Sequence, residues 1–295
     1  MIKLRSIEME FPHVAEAAQF LVGTWGLALA EQHEAAVYLR GSGELPYLIG
    51  LFEAPSERVR SVTFLCEADE LATIEERVAS SGQPMRHVTS SDPGVGAGIE
   101  VELPEGELFR FLVGSTTVEE IEGPDLPYKL THVVLSSTDA ERSGDFAEKV
   151  LGFKVSDRTK GMVFVRCNRS HHSIAFARAG YSSLNHVAFE MSDIDGVMRG
   201  IGRMRDAGTD PVWGPGRHGP GNNVFAYFIA PFGAVIEFST PTNPVDDDYR
   251  TGTPEEWTWP ENRIDQWGVS NKEVATIVEA EKRFRFRRDW EPEAV

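Results

Sequence analysis

The feature that most restricts what this chain can fold into is an internal duplication. Gly106-Glu107-Leu108-Phe109-Arg110-Phe111 aligns with Gly233-Ala234-Val235-Ile236-Glu237-Phe238, and Ser61-Val62-Thr63-Phe64 aligns with His186-Val187-Ala188-Phe189, at an offset of about 125 residues. In the first copy, apolar spacing predicts a strand over Leu4–Phe11, a helix from Val14 to about Gly23, and strands at Ala36–Arg40, Tyr47–Phe52 and Val62–Leu65. A helix with Leu71, Ile74 and Val78 on one face stops at Gly82, a loop covers Ser90–Gly98, and a strand follows at Leu108–Val113. The second copy predicts a strand around His132, a helix with Phe146 and Val150 stopped by Gly152, strands Met162–Arg166 and Ser173–Ala177, and the His186 strand. A helix bearing Val197, Ile201 and Met204 then stops at Gly208. A Gly/Pro-rich loop over Trp213–Asn223 leads to strands Val224–Ile229 and Ala234–Ser239. A β-α-β-β-β module used four times accounts for this order. The expected fold class is α+β, with two tandem domains, each a pair of modules whose curved sheet surrounds a cleft. The domains fall at residues 1–118 and 128–240, with a linker over Glu119–Pro127 and a tail over 241–295.

Three residues of the second copy stand out against that scaffold. His132, His186 and Glu237 are each one polar residue in a short run of apolar and β-branched ones. Singly, each fits a satisfied, half-buried polar side chain. Together, two imidazoles and one carboxylate are what a redox-active divalent iron takes when one face must stay open. The first copy holds Ile7, Ser61 and Arg110 at the corresponding positions, and an arginine in place of a carboxylate cannot bind a cation. One copy thus keeps a scaffold and the other carries a constellation that no fold requires.

Composition narrows the partners. The 295 residues include 46 acidic and 29 basic ones, for a formal net charge of −17, which repels nucleic-acid phosphates. The basic run Lys282–Arg288 has acidic neighbours and reads as a solvated or interfacial helix end. No apolar run reaches the length of a membrane span, and the start lacks the apolar core and cleavage site of a signal peptide. Two cysteines, Cys66 and Cys167, exclude a disulfide scaffold and a Cys-rich metal site, and they read as core residues. A reducing cytoplasm is the expected compartment.

With the triad, the repeat and the loop residues in view, residues 2–240 resemble the two-domain extradiol (type I) ring-cleavage dioxygenases of the vicinal oxygen chelate superfamily. The likeness is to enzymes of the catechol 2,3-dioxygenase and 2,3-dihydroxybiphenyl 1,2-dioxygenase kind, and its motifs lie within 128–240. The resemblance implies a non-haem Fe(II), with Mn(II) also accepted, O₂ as co-substrate, an aromatic diol as substrate, a first domain without metal, and a homo-oligomer. It implies His132, His186 and Glu237 as metal ligands, and His172, in Ser170-His171-His172-Ser173, as an acid/base. It further implies that His218, in Arg217-His218-Gly219, hydrogen-bonds substrate and that Tyr227 lies near the substrate hydroxyl and the metal. If His171 and His172 both lie in a strand they point to opposite faces, so only one meets the cleft; the resemblance selects His172. Val134, two residues after His132 on the same strand face, is expected to line the pocket floor. The loop Gly219–Asn223 leaves open which of Asn222 and Asn223 faces the substrate.

This chemistry suits the residue types. Three protein ligands leave room for a bidentate catechol and O₂, while a nearby histidine can take and return a proton. Two other readings remain: a glyoxalase-like isomerisation or hydroquinone cleavage on the same scaffold, and a metal-free binding protein. In the tail, Trp257, Trp259 and Trp267 are expected to anchor irregular chain. Ser270-Asn271-Lys272-Glu273 has capping-box spacing before a helix with Val274, Ile277 and Val278 as its apolar stripe. Plain packing is the expected role of the tail, with covering the cleft or joining subunits as alternatives.

Overall fold

The computed structural model describes residues 1–123 and 125–287; Pro124 of the expected linker, Arg288 of the basic run and the rest of the tail lie outside the described residues. Four β-α-β-β-β modules follow one another. The first consists of β1 (Lys3–Phe11), α1 (Val14–Phe20), β2 (Ala28–Gln32), β3 (Ala36–Arg40) and β4 (Ile49–Glu53). The second consists of β5 (Arg58–Leu65), α2 (Ala68–Ser81), β6 (Met85–Thr89), β7 (Ala97–Glu102) and β8 (Leu108–Val113). The third runs β9 (Leu130–Ser137), α3 (Ala140–Lys149), β10 (Lys154–Arg158), β11 (Met162–Arg166) and β12 (Ile174–Arg178). The fourth runs β13 (Ser183–Glu190), α4 (Ile194–Asp206), β14 (Trp213–Arg217), β15 (Val224–Ile229) and β16 (Val235–Ser239). A last helix, α5 (Val274–Glu281), and a short strand, β17 (Arg285–Phe286), follow.

The modules pair to give two sheets of the same design. One has strand order β2-β3-β4-β1-β5-β8-β7-β6 and the other β10-β11-β12-β9-β13-β16-β15-β14, so the fold is α+β with the duplication intact. Local chemistry sets the helices. Asp193 caps α4 by accepting from the Gly196 N–H, Val197, Ile201 and Met204 form its buried stripe, and Gly208 ends it at φ 82°. Asp139 caps α3 in the same way through the Arg142 N–H. No described helix is long and apolar enough to cross a membrane. Both cysteines are free, Cys66 buried and Cys167 half-buried.

The strands missing from the sequence reading are mostly at sheet edges. β2, β6, β10 and β14 each end a sheet, so each needs one partner only and carries charged or turn-forming residues in place of alternating apolar ones. β14 contains Pro215 between two glycines, a composition tolerated only at an edge. β7 begins inside the expected Ser90–Gly98 loop.

One expectation for the tail is corrected. α5 begins only at Val274, with Glu273 as its uncapped N-terminus, because the Ser270 hydroxyl accepts from the Gly214 N–H and so is spent on β14 and not on a capping box. The basic run starts at a helix end, as expected, with Lys282 as the C-cap of α5, and its described part then leaves the helix. Helix α5 ends at Glu281, Arg283 pairs with Glu57, and β17 adds parallel to β5 beside Arg58 and Val59.

The halves share one apolar core. Trp25, fully buried at the end of the wide turn after α1, stacks on Phe238 of the second sheet with centroids 3.6 Å apart, and Arg203 of α4 donates to the Thr24 and Trp25 carbonyls. Glu105 of the first half accepts from the Thr138 and Asp139 N–H groups at the start of α3. Trp25→Ala is therefore expected to cost about 3–5 kcal/mol, as full truncation of a buried aromatic does. Denaturant unfolding of the variant against the wild type measures that loss.

Candidate metal centre and its pocket

The three polar residues singled out in the second copy come from three adjacent strands. His132 lies on β9, His186 on β13 and Glu237 on β16; Ala188 sits opposite both His132 and Glu237, while His186 sits opposite Val134. Bulges in the β9–β13 ladder, between Leu184 and His186 and between Ala188 and Phe189, bracket this register. All three side chains are buried.

Their ligating atoms converge. His132 Nε2 and His186 Nε2 are 3.4 Å apart, and Glu237 Oε2 lies 3.3 Å from the first and 3.1 Å from the second. Despite those approaches Glu237 Oε2 has no geometrically sound hydrogen bond. A carboxylate oxygen buried without a donor, faced by two imidazole nitrogens, is a site that a cation completes. Burial alone would raise the Glu237 carboxyl, but His132 and His186 outweigh it and hold the group below the ordinary carboxylate range, ionised. Burial lowers His186 against the opposing pull of Glu237. Neutral imidazoles and an ionised carboxylate are the protonation states a metal requires of its ligands.

The supporting shell is specific. Asn185 Oδ1 lies 2.8 Å from His186 Nδ1, and Asn223 donates to the Ser239 hydroxyl at 2.8 Å and reaches Glu237 Oε1 at 3.4 Å. The Tyr227 hydroxyl is 3.0 Å from His218 Nε2 and 3.4 Å from His186 Nε2. Burial and the Glu237 charge keep the Tyr227 phenol far above its ordinary pKa, so it stays a donor. Burial pushes His218 down to about 3, and burial together with His132, His171, His218 and His186 holds His172 well below its ordinary value. The His172 ring lies 4.4 Å from that of His132, centroid to centroid.

A cavity of about 300 Å³ opens onto these groups, and His132, His172, His186, His218, Tyr227 and Val134 all line it. Asn222 and Asn223 do not. Asn222 takes a left-handed turn at φ 55°, and Asn223 is spent on Ser239 and Glu237, so neither asparagine of the loop is a pocket residue as the sequence led us to expect. His171 and His172 lie in a bend before β12, not in a strand, so alternation does not separate them; both are buried and their rings meet edge to face. Further lining comes from residues with no local signal: Phe164 and Met162 of β11, Trp213 of β14, and Trp259, Ile264, Lys272, Ile277 and Glu281 of the tail. Part of the tail therefore covers the cleft. Trp267 instead stacks under the Arg217 guanidinium, and Trp257 approaches Gly219 and Gly252.

The first sheet shows what replaced the triad. Ile7 falls opposite Ile49 and Val62 just as Val133 falls opposite Ile174 and Val187, so the counterpart of His132 is Ser6, not Ile7. The sequence alignment slipped by one residue, which in a strand exchanges one face for the other. Ser61 and Arg110 do correspond to His186 and Glu237. Arg110 is ion-paired with Asp92 and donates to Thr63, while Glu8 accepts from Ser6, Tyr47, Ser61 and Thr63.

Fold and site together define a scaffold of paired β-α-β-β-β modules, one half of which gathers three residues able to hold a metal ion. Residues 129–238 match the family model of the Glyoxalase/Bleomycin resistance protein/Dioxygenase superfamily. That match covers the second half of the sheet-forming chain, and proteins named as extradiol dioxygenases are among the curated relatives to which the chain is similar. It is 27% identical to Metapyrocatechase 2 of Cupriavidus necator over 293 residues, covering 88% of this chain and 87% of that one. It is 26% identical to the Iron-dependent extradiol dioxygenase of Rhodococcus jostii over 240 residues, covering 72% and 80%. Among solved structures it is similar to the Mn(II)-bound glyoxalase of Novosphingobium aromaticivorans, with 29% identity, a TM-score of 0.85 and 93% of each chain covered.

The depressed histidines imply a pH dependence. Unfolded histidines take up protons as pH falls through about 6.5, whereas native His172, His186 and His218 do not. The unfolded state then binds more protons, so stability is complete above that pH and declines below it, by up to about 1.4 kcal/mol per pH unit for each histidine. The melting temperature of metal-free protein is expected to fall steadily from pH 7 to pH 5; a flat profile would contradict the neutral, buried assignment.

Proposed function

We propose that the chain is an extradiol dioxygenase that opens a catechol-type aromatic diol beside its hydroxyls with O₂, using a non-haem Fe(II) held by His132, His186 and Glu237. The observation that carries this reading is the convergence of two imidazoles and a buried carboxylate oxygen without a donor on one point beside a cavity. In this reading residues 1–118 form the metal-free domain, 128–240 the catalytic domain and 241–295 the tail, in a homo-oligomer of the reducing cytoplasm. The donor set accepts Mn(II) as well, and iron is preferred for the likeness to an iron-dependent relative. The likeness to a Mn(II)-bound glyoxalase supports a second reading, an isomerisation that consumes no O₂.

Bound there, the metal would bring diol and O₂ together and let electron density pass from one to the other. The protein does the rest. Phe164, Trp213 and Trp259 wall the cavity and exclude water, and Val134 supports the ring of the diol from the floor. His172, neutral, accepts a hydroxyl proton and returns it later in the reaction. The Tyr227 hydroxyl donates to a developing oxyanion, held in place by His218 Nε2.

The test is anaerobic reconstitution with Fe(II), metal analysis, and addition of 2,3-dihydroxybiphenyl and catechol in air. One metal per chain, oxygen uptake and a yellow product are expected; metal-loaded protein that takes up no oxygen with any diol would move the assignment to the isomerase reading. His132→Ala, His186→Ala and Glu237→Ala should each lose metal and turnover together. His172→Ala should keep the metal and slow turnover by roughly 10²–10⁴.

A further inference from the structure

His172 is not alone behind the metal centre. Its Nδ1 lies 3.0 Å from His171 Nδ1, and His171 Nε2 lies 2.7 Å from Asp157 Oδ2. The three side chains are almost wholly enclosed, at 3%, 1% and 0% exposure. Asp157 comes from β10, fourteen residues before His171, and its carboxylate also accepts from the Gly252 N–H at 2.7 Å and from the Tyr249 hydroxyl at 3.2 Å, both tail groups. Gly252 and Tyr249 both donate to it, so its oxygens act as acceptors.

Two imidazole nitrogens 3.0 Å apart must share one proton. The Asp157 carboxylate requires the N–H of His171 to be on Nε2. With its N–H on Nε2, His171 can accept at Nδ1, and the shared proton is then on His172 Nδ1. With its proton on Nδ1, His172 has its Nε2 to offer as an acceptor to the cavity that its ring lines. We infer that Asp157 and His171 are positioning residues that fix the ring orientation and the Nδ1–H tautomer of His172, so that its Nε2 meets the substrate as an acceptor. The logic is that of a nucleophile–base–orienter triad, with an added imidazole as the middle link. It makes the tail part of the same device, because Tyr249 and Gly252 hold the carboxylate that starts the chain.

This inference rests on the acid/base role of His172 proposed above, and the experiment separates the two. Nitrogen-15 NMR of histidine-labelled, metal-free protein reads the tautomers without any turnover. Signals assigned with His171 and His172 variants should show protonation at Nε2 of His171 and at Nδ1 of His172; the opposite tautomer on His172 would overturn the inference. In the Fe(II)-loaded enzyme, Asp157→Asn and His171→Leu should lower kcat roughly tenfold to a hundredfold, a usual cost for a lost outer partner, with metal content and diol KM within about twofold. His171→Gln, whose amide carries both a donor for Asp157 and an acceptor for His172, should recover most of that loss. In a His172→Asn background the Asp157 and His171 substitutions should add nothing further, since they act through His172. Should His171→Leu fail to fold, the near-isosteric Asp157→Asn and the His171→Gln variant carry the same comparison. Full additivity in the His172→Asn background, or single variants at wild-type kcat, would overturn the positioning role. If His172→Asn alone leaves turnover unchanged, the acid/base reading fails, whatever the tautomers show.

Discussion

A fully buried carboxylate with one oxygen that no donor meets is the constraint around which the second sheet is arranged. Glu237 Oε2 faces His132 and His186 at 3.3 and 3.1 Å, and among the described residues no donor makes a hydrogen bond to it. Leaving such a charge uncompensated in the interior costs several kcal/mol. The groups nearest to it are tuned to receive a cation rather than to replace one: the ionised carboxylate accepts, His186 is held neutral, and Asn185 and Asn223 orient His186 and Glu237. The geometry depends on three neighbouring strands, β9, β13 and β16, so the site is as rigid as the middle of the sheet.

The first sheet meets the same topological position with a different chemistry. Arg110 stands where Glu237 stands, and Glu8 stands beside Ser6 where Val134 stands beside His132. Its carboxylates are matched by a guanidinium and by hydroxyls, with Arg110 paired to Asp92 and Glu8 accepting from serine, threonine and tyrosine. The positive charge is covalently part of the chain, and the smaller cavity beside it, about 250 Å³, is lined by Glu8, Asp92 and Arg110 themselves. The duplicated sheets thus hold two clefts at equivalent positions, one with its charges matched within the chain and one with a cluster able to hold a metal ion, and the shared core through Trp25 and Phe238 holds the two halves together.

Much of this was legible in the residues, for identifiable reasons. The four modules announced themselves through apolar spacing and glycine stops at Gly82, Gly152 and Gly208, each of which takes a positive φ. The triad was visible because each member interrupts an apolar strand. What escaped was non-local. The Ser6–Ile7 slip arose because an apolar residue aligns attractively on either side of a strand, whereas only the ladder partners fix which face it occupies. Edge strands such as β10 and β14 lack alternation because one side needs no partner. The pairing of His171 with Asp157 depends on β10 and the tail meeting behind β12, and the contribution of Lys272 and Ile277 to the pocket depends on where α5 docks. Asn222 and Asn223 drew attention for their place in the loop. Only the hydrogen bonds show that one shapes a turn and the other steadies Glu237.

The most direct test of the account is a turnover of Fe(II)-loaded enzyme with an excess of ¹⁸O₂, followed by mass analysis of the product. Extradiol cleavage predicts one ring-opened product molecule per diol carrying two heavy oxygen atoms, with the new carbon–oxygen bonds at one hydroxylated carbon and its non-hydroxylated neighbour. A product free of ¹⁸O, or one cleaved between the two hydroxyl-bearing carbons, would contradict it.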